Sequence, residues 1–194
     1  ACASRRKTGR EIRRKAGRSA GRAGCGRTRG GSKPGGGETG RNAGGGSTTG
    51  GILTTEQLLR AGERNKAMYR SHGLLSVAED IAELCHCTGP ALTVSTACSS
   101  GAVAIALALN LLRSGRMLCI LAGGVDSLSR LTYFGFHSLH LVDRNGCRPL
   151  DVSRQGLAVA EGAGMLLLTT EQPDQPLAIL LGAGLSCDAH HPTA

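Results

Sequence analysis

No apolar run in the 194 residues reaches the roughly 20 residues that a membrane-spanning helix needs. The first 46 residues contain no aromatic side chain and almost no large aliphatic one. They therefore lack both the apolar stretch of a secretory signal and any platform on which bases could stack. The eight cysteines are Cys2, Cys25, Cys85, Cys87, Cys98, Cys119, Cys147 and Cys187, and they do not space out as a disulfide framework. Several lie inside or beside apolar runs, which fits buried thiols in a reducing cytoplasm. A metal centre is short of ligands as well. Cys85-His86-Cys87 closes a helix with no matching second pair beyond His190 and His191, whereas zinc takes about four ligands.

What is present is unevenly spread. Residues 1–46 hold 13 Lys/Arg against two acids, Glu11 and Glu38, and 14 of the 30 glycines. The other 148 residues carry 10 basic and 12 acidic side chains, so the basic character belongs to the first segment alone. Such a composition buries too little apolar surface to offset its ordering entropy, and a disordered tail over 1–46 is expected, with the folded part over 47–194. Two readings of the tail stand side by side: GC-rich coding DNA translated out of frame, or a real basic extension. As an extension it would neutralise phosphates weakly and with strong salt dependence, so nucleic acid is not the expected partner.

Past Gly46 the texture changes. TTEQLLRAGERNKAMYR has helical spacing, with Thr54 or Thr55 as cap and Leu58, Leu59 and Ala61 as its apolar face. A second helix is expected over Leu74–Cys87, stopped by Gly89-Pro90. ALTVSTAC reads as a strand entering a small-residue corner, followed by an apolar helix closed by Gly115 and a buried strand over Met117–Gly124. A short helix over Tyr133–Leu141, a turn at Asp143–Gly146, and strands over Gly162–Thr170 and Leu177–Cys187 complete the pattern. Alternation of this kind indicates layered α/β structure.

A cysteine between a buried strand and the first turn of a helix has chemical consequences. Free N–H groups and the helix dipole at that end favour the thiolate, which is the nucleophilic form. Ser95, Ala97, Ser99, Ser100 and Gly101 are small enough to admit a thioester and to let the backbone N–H of Cys98 approach an oxyanion. A small buried hydrophobe is the competing reading of Cys98 on these grounds alone. Asp126, Glu161 and Asp188 read as loop formers that accept backbone hydrogen bonds, and Arg148 as the anchor of the CRPLD loop through Asp151. His72, His137 and His140 read as surface or locally satisfied histidines.

The sequence around Cys98, TVSTACSSGAVAIALA, resembles the nucleophile motif of β-ketoacyl synthases, and the resemblance continues through LAGGVDSLSRLTYFGFHSL, CRPLD, RQGLAVAEGAGMLLL and GLSCDAHHPTA. It runs from about Gly46 to Ala194. It implies a thiolase-like α/β fold, chiefly the N-terminal half of one, with homodimerisation through the strand around Met117–Gly124. It implies Cys98 as the residue acylated from an acyl carrier protein or coenzyme A, with no cofactor and no metal. Phe136 matches a position lining the acyl pocket, and His191 and Thr193 match positions near the pantetheine channel. The family's two catalytic histidines, in HGT and GH blocks, do not occur in this sequence, nor does its Gly-Phe-Gly-Gly turn. The resemblance therefore implies a partial chain, poorly soluble alone, that accepts an acyl group without completing condensation. A non-catalytic partner subunit is the alternative; retention of Cys98 argues against it.

Overall fold

The computed structural model describes residues 42–187 of the chain. Four strands form one sheet: β1 (Asn42–Gly46), β2 (Ala91–Val94), β3 (Cys119–Asp126) and β4 (Gly162–Thr169), in the order β2-β1-β3-β4. β1 runs parallel to both β2 and β3, with Gly44 opposite Leu92 on one side and Ala122 on the other. β4 closes the far edge antiparallel to β3, with Gly124 opposite Gly164.

The sequence NAGGG in β1 has none of the branched side chains that favour strands, and the sequence reading assigned it to the tail. That assignment is corrected: residues 42–46 sit inside the sheet, hydrogen-bonded on both sides. Small residues serve here because helices cover both faces. Successive strand residues point to opposite faces. A β-carbon on Gly45 would lie 3.4 Å from Cβ of Ala78, on helix α2 (Leu74–Leu84). One on Gly46 would meet the Ser100 carbonyl, in the first turn of α3 (Ser100–Arg113). Helices α2 and α3 therefore lie on opposite faces of the sheet. The α3 side holds Ala108, Leu112, Ile120 and Ala122 as a buried cluster, with Ile105, Leu111, Met117 and Leu168 against it. Burying a side chain such as Ile120 contributes about 2–3 kcal/mol, whereas the many buried alanines contribute far less each.

Elsewhere the structure shifts or removes expected elements. The first helix, α1 (Ile52–Arg60), starts before Thr54 with Gly51 as N-cap. Thr55 is buried within it, its hydroxyl near the Gly51 carbonyl and Nδ1 of His72. Leu58 is half-buried, while Leu59 and Ala61 are exposed, so the apolar face is narrower than expected. Gly62, at φ +71°, ends the helix, and the chain resumes as a 3-10 turn over Lys66–His72. Helix α4 covers Arg130–Ser138, three residues earlier than expected. Its start is fixed by the Ser129 hydroxyl accepting from Thr132 N–H and by Glu56 accepting from the N–H groups of Arg130 and Leu131.

Leu177–Cys187 forms no strand, and Ile179 remains 78% exposed. An apolar run becomes a strand only with a neighbour to complete its ladder, and none pairs with it among the described residues. β3 is internal to the sheet, with β1 and β4 hydrogen-bonded along its two edges. The expected disorder of residues 1–41 lies outside the described residues.

Candidate active site around Cys98

The parallel strands β1, β2 and β3 all end on the same side, and in open α/β sheets that is where ligands bind. β2 ends at Val94, and α3 begins at Ser100. The intervening elbow turns on Ala97, whose φ of +53° places a non-glycine residue in the left-handed region. That conformation costs about 1–2 kcal/mol and persists only where the surroundings hold it. They do so densely. Ser100 Oγ donates to the Ala97 carbonyl at 2.6 Å and accepts from Thr96 N–H at 2.9 Å. Ser100 N–H donates to the same carbonyl at 3.1 Å. From another loop, the Thr48 hydroxyl donates to it at 3.2 Å.

Cys98 is exposed immediately after this strained residue. Ser99, the N-cap of α3, has a side chain suited to capping but does not cap. Its hydroxyl turns back to the Thr96 carbonyl at 2.9 Å. No side chain therefore caps the first turn; the N–H groups of Ser99 and Ser100 donate to the Thr96 and Ala97 carbonyls, and those that follow in the turn can face developing negative charge. Close backbone packing presses this turn onto the sheet: a β-carbon on Gly124 would lie 3.0 Å from Cα of Gly101.

The other expected residues divide. Asp126 forms the loop anticipated for it, its Oδ1 accepting from Ser47 Oγ and Thr48 N–H at 2.9 Å and from Thr49 N–H at 3.3 Å. Glu161 accepts from Leu128 N–H at 3.1 Å. Arg148 pairs with Asp143 at 3.3 Å and reaches Ser153, rather than the expected Asp151. Asp151 instead accepts from the N–H and hydroxyl of Ser153. The Asn145 N–H, followed by Arg148 and Gln155, holds the Asp143 carboxyl below the usual carboxylate range. Asp151 is lowered likewise, by Ser153.

Phe136 is half-buried on α4, and no described contact joins it to Cys98. An open depression of about 510 Å³, lined by Leu141, Val152, Arg154, Gln155, Gly156 and Leu157, lies in the CRPLD region and not at Cys98. The expectation of buried thiols is corrected: Cys119 is buried and Cys87 half-buried, while Cys85, Cys98, Cys147 and Cys187 are exposed. Asp188, His190, His191 and Thr193 lie outside the described residues. The links Thr48–Ala97 and Glu56–α4 escaped sequence reading, because each joins segments far apart in the chain.

A model of the β-ketoacyl synthase N-terminal domain matches residues 22–174. The chain belongs to the β-ketoacyl synthase family. Among curated relatives, the chain is 38% identical over 112 residues to nodulation protein E of Rhizobium meliloti, covering 55% of the chain and 28% of that protein. It is 35% identical over 109 residues to the 3-oxoacyl-[acyl-carrier-protein] synthase homolog of Saccharomyces cerevisiae, covering 53% of the chain and 25% of the relative. The chain thus spans about a quarter of the length of these two curated relatives. Among solved structures it resembles the ketosynthase ApeO, in complex with its chain length factor ApeC, from Xenorhabdus doucetiae. That match has a TM-score of 0.60 and 30% identity over 69% of this chain and 35% of that one. A β-ketoacyl synthase from Burkholderia phymatum gives 0.56 and 27%, over 66% of this chain and 35% of that one. The fold is therefore thiolase-like, as the sequence resemblance implied. No helix among the described residues is long and apolar enough to cross a membrane.

Proposed function

We propose that this chain supplies the acyl-accepting site of a decarboxylative Claisen condensation in fatty-acid or polyketide synthesis, with Cys98 as nucleophile. One observation carries the reading: an exposed thiol follows a strained left-handed residue and precedes a helix turn whose N–H groups have no side-chain cap. In that position the sulfur adds to the carbonyl of an acyl thioester. Backbone N–H groups at the start of α3, with that of Cys98, receive the oxyanion. The carbon–sulfur bond to the donor then breaks, and the departing pantetheine or coenzyme A thiolate takes up the proton that the Cys98 thiol gives up, leaving acyl-Cys98.

In the second half a malonyl thioester loses carbon dioxide, and its enolate carbon attacks acyl-Cys98, which returns the free thiol. Phe136, His191 and Thr193 are assigned to the acyl pocket and the pantetheine channel on the family motif. The enolate-stabilising histidines of that motif do not occur in these 194 residues, and the step assigned to the residues present is acyl loading. The donor is an acyl carrier protein or coenzyme A. The ApeO–ApeC complex and the ishigamide ketosynthase/chain length factor pair support a chain length factor as partner, beside a homodimer. Peptide mapping by mass spectrometry after incubation with an acyl thioester tests the reading. We expect an acyl adduct on Cys98 that Cys98→Ala abolishes; no adduct, or one confined to other residues, would contradict the assignment.

A further inference from the structure

We propose that Asp126 is a positioning residue for Cys98, acting through Thr48 on the peptide that carries the Cys98 N–H; this rests on Cys98 being the acyl acceptor. Asp126 is the last residue of β3, and one of its oxygens accepts from Ser47 Oγ, Thr48 N–H and Thr49 N–H. Ser47 is almost fully buried and its oxygen already accepts from Gly50 N–H, so its own proton goes to the carboxylate. These bonds pin residues 47–50 at the end of β1. From that pinned loop, Thr48 Oγ1 donates to the Ala97 carbonyl at 3.2 Å.

The Ala97 carbonyl and the Cys98 N–H belong to one rigid peptide plane. The other donors to that carbonyl, Ser100 N–H and Ser100 Oγ, come from α3 itself and move with it. Thr48 ties the plane to a different part of the molecule, and through Asp126 to β3. The orientation of the Cys98 N–H, and of the Cα that carries the thiol, is referred to the sheet by this route. A carboxylate suits the anchoring place because it only accepts, and all three groups around it donate.

The test uses the 194-residue chain and two readouts at Cys98, the rate of acyl loading at saturating donor and the rate of alkylation by iodoacetamide. Thr48→Val removes the link to Ala97 and leaves Asp126 its other partners; we expect about five- to tenfold slower loading, the worth of one hydrogen bond. Thr48→Ser restores it. Asp126→Ala slows loading by up to about the same five- to tenfold, Asp126→Asn recovers most of that loss because its amide oxygen still accepts, and adding Thr48→Val to Asp126→Ala slows it little beyond Thr48→Val alone. Glu56→Ala, which unties the start of α4 in the same manner without touching the elbow, leaves Cys98 rates unchanged. Wild-type rates in folded Thr48→Val and Asp126→Ala, or an equal loss in Glu56→Ala, would overturn the proposal. Where Asp126→Ala does not fold, the Thr48 pair decides. If the wild-type chain is not acylated yet Thr48→Val still alters alkylation of Cys98, the nucleophile reading fails and the positioning link stands.

Discussion

Gly44 and Gly46 lie two residues apart on one face of β1, so a methyl group added at each points the same way. Their surroundings differ. A β-carbon at Gly44 meets nothing within 4 Å and faces a void of about 20 Å³ walled by Ala104, Leu107, Ala108 and Met117. A β-carbon at Gly46 meets the Ser100 carbonyl and the Gly101 nitrogen, which are backbone and cannot swing aside. Gly46→Ala must lift the first turn of α3 off the sheet, an overpacking penalty of about 3 kcal/mol. Gly44→Ala fills space and removes unfolded-state freedom, for a gain of about 0.5–1 kcal/mol. Urea unfolding followed by circular dichroism, with the slope unchanged, reads both as opposite shifts in midpoint. Because the displaced turn carries Cys98, Gly46→Ala also changes the alkylation rate there, and Gly44→Ala does not. Equal midpoints for the two variants would refute the placement of α3 over β1.

Three further outcomes follow from the same geometry. Asp143 and Asp151 are lowered in the folded chain, so their stabilisation is complete above the ordinary carboxylate value of about 3.9 and disappears as pH falls through their folded values. Asp143→Asn should flatten that acid limb in pH-dependent unfolding. Ala97→Val places a β-branched residue at φ +53° and should lower stability by about 2 kcal/mol or more, whereas Ala97→Gly stays within about 1 kcal/mol of wild type in the same urea assay. Leu166, Leu167, Leu177, Ile179 and Leu181 are exposed together along β4 and the segment after it, so the chain alone should self-associate in light scattering; a sharp monomer with cooperative melting would contradict this.

Strand β3 and helix α3 were legible in the sequence because each buries a continuous apolar stretch, and a run of small residues between β2 and α3 marked the corner at Cys98. β1 was not legible. Asn42–Gly46 has no side-chain pattern at all, and it is a strand because two neighbours hydrogen-bond to it and two helices require its thinness. Leu177–Cys187 erred in the opposite sense, since its apolar pattern says nothing about whether a partner strand is at hand. Arg148 was assigned to Asp151, three residues away, but the fold offers it the buried Asp143. The Thr48–Ala97 and Asp126–Ser47 bonds span 49 and 79 residues, beyond any local signal.

Competitive alkylation with isotope-coded iodoacetamide, resolved by peptide, bears most directly on Cys98 as an activated nucleophile. Cys85, Cys98, Cys147 and Cys187 are all exposed, so access alone would label the four at similar rates. We expect Cys98 to react well ahead of the other three and to be shielded by prior incubation with an acyl thioester. Labelling at a common rate, with no shielding, would contradict the assignment.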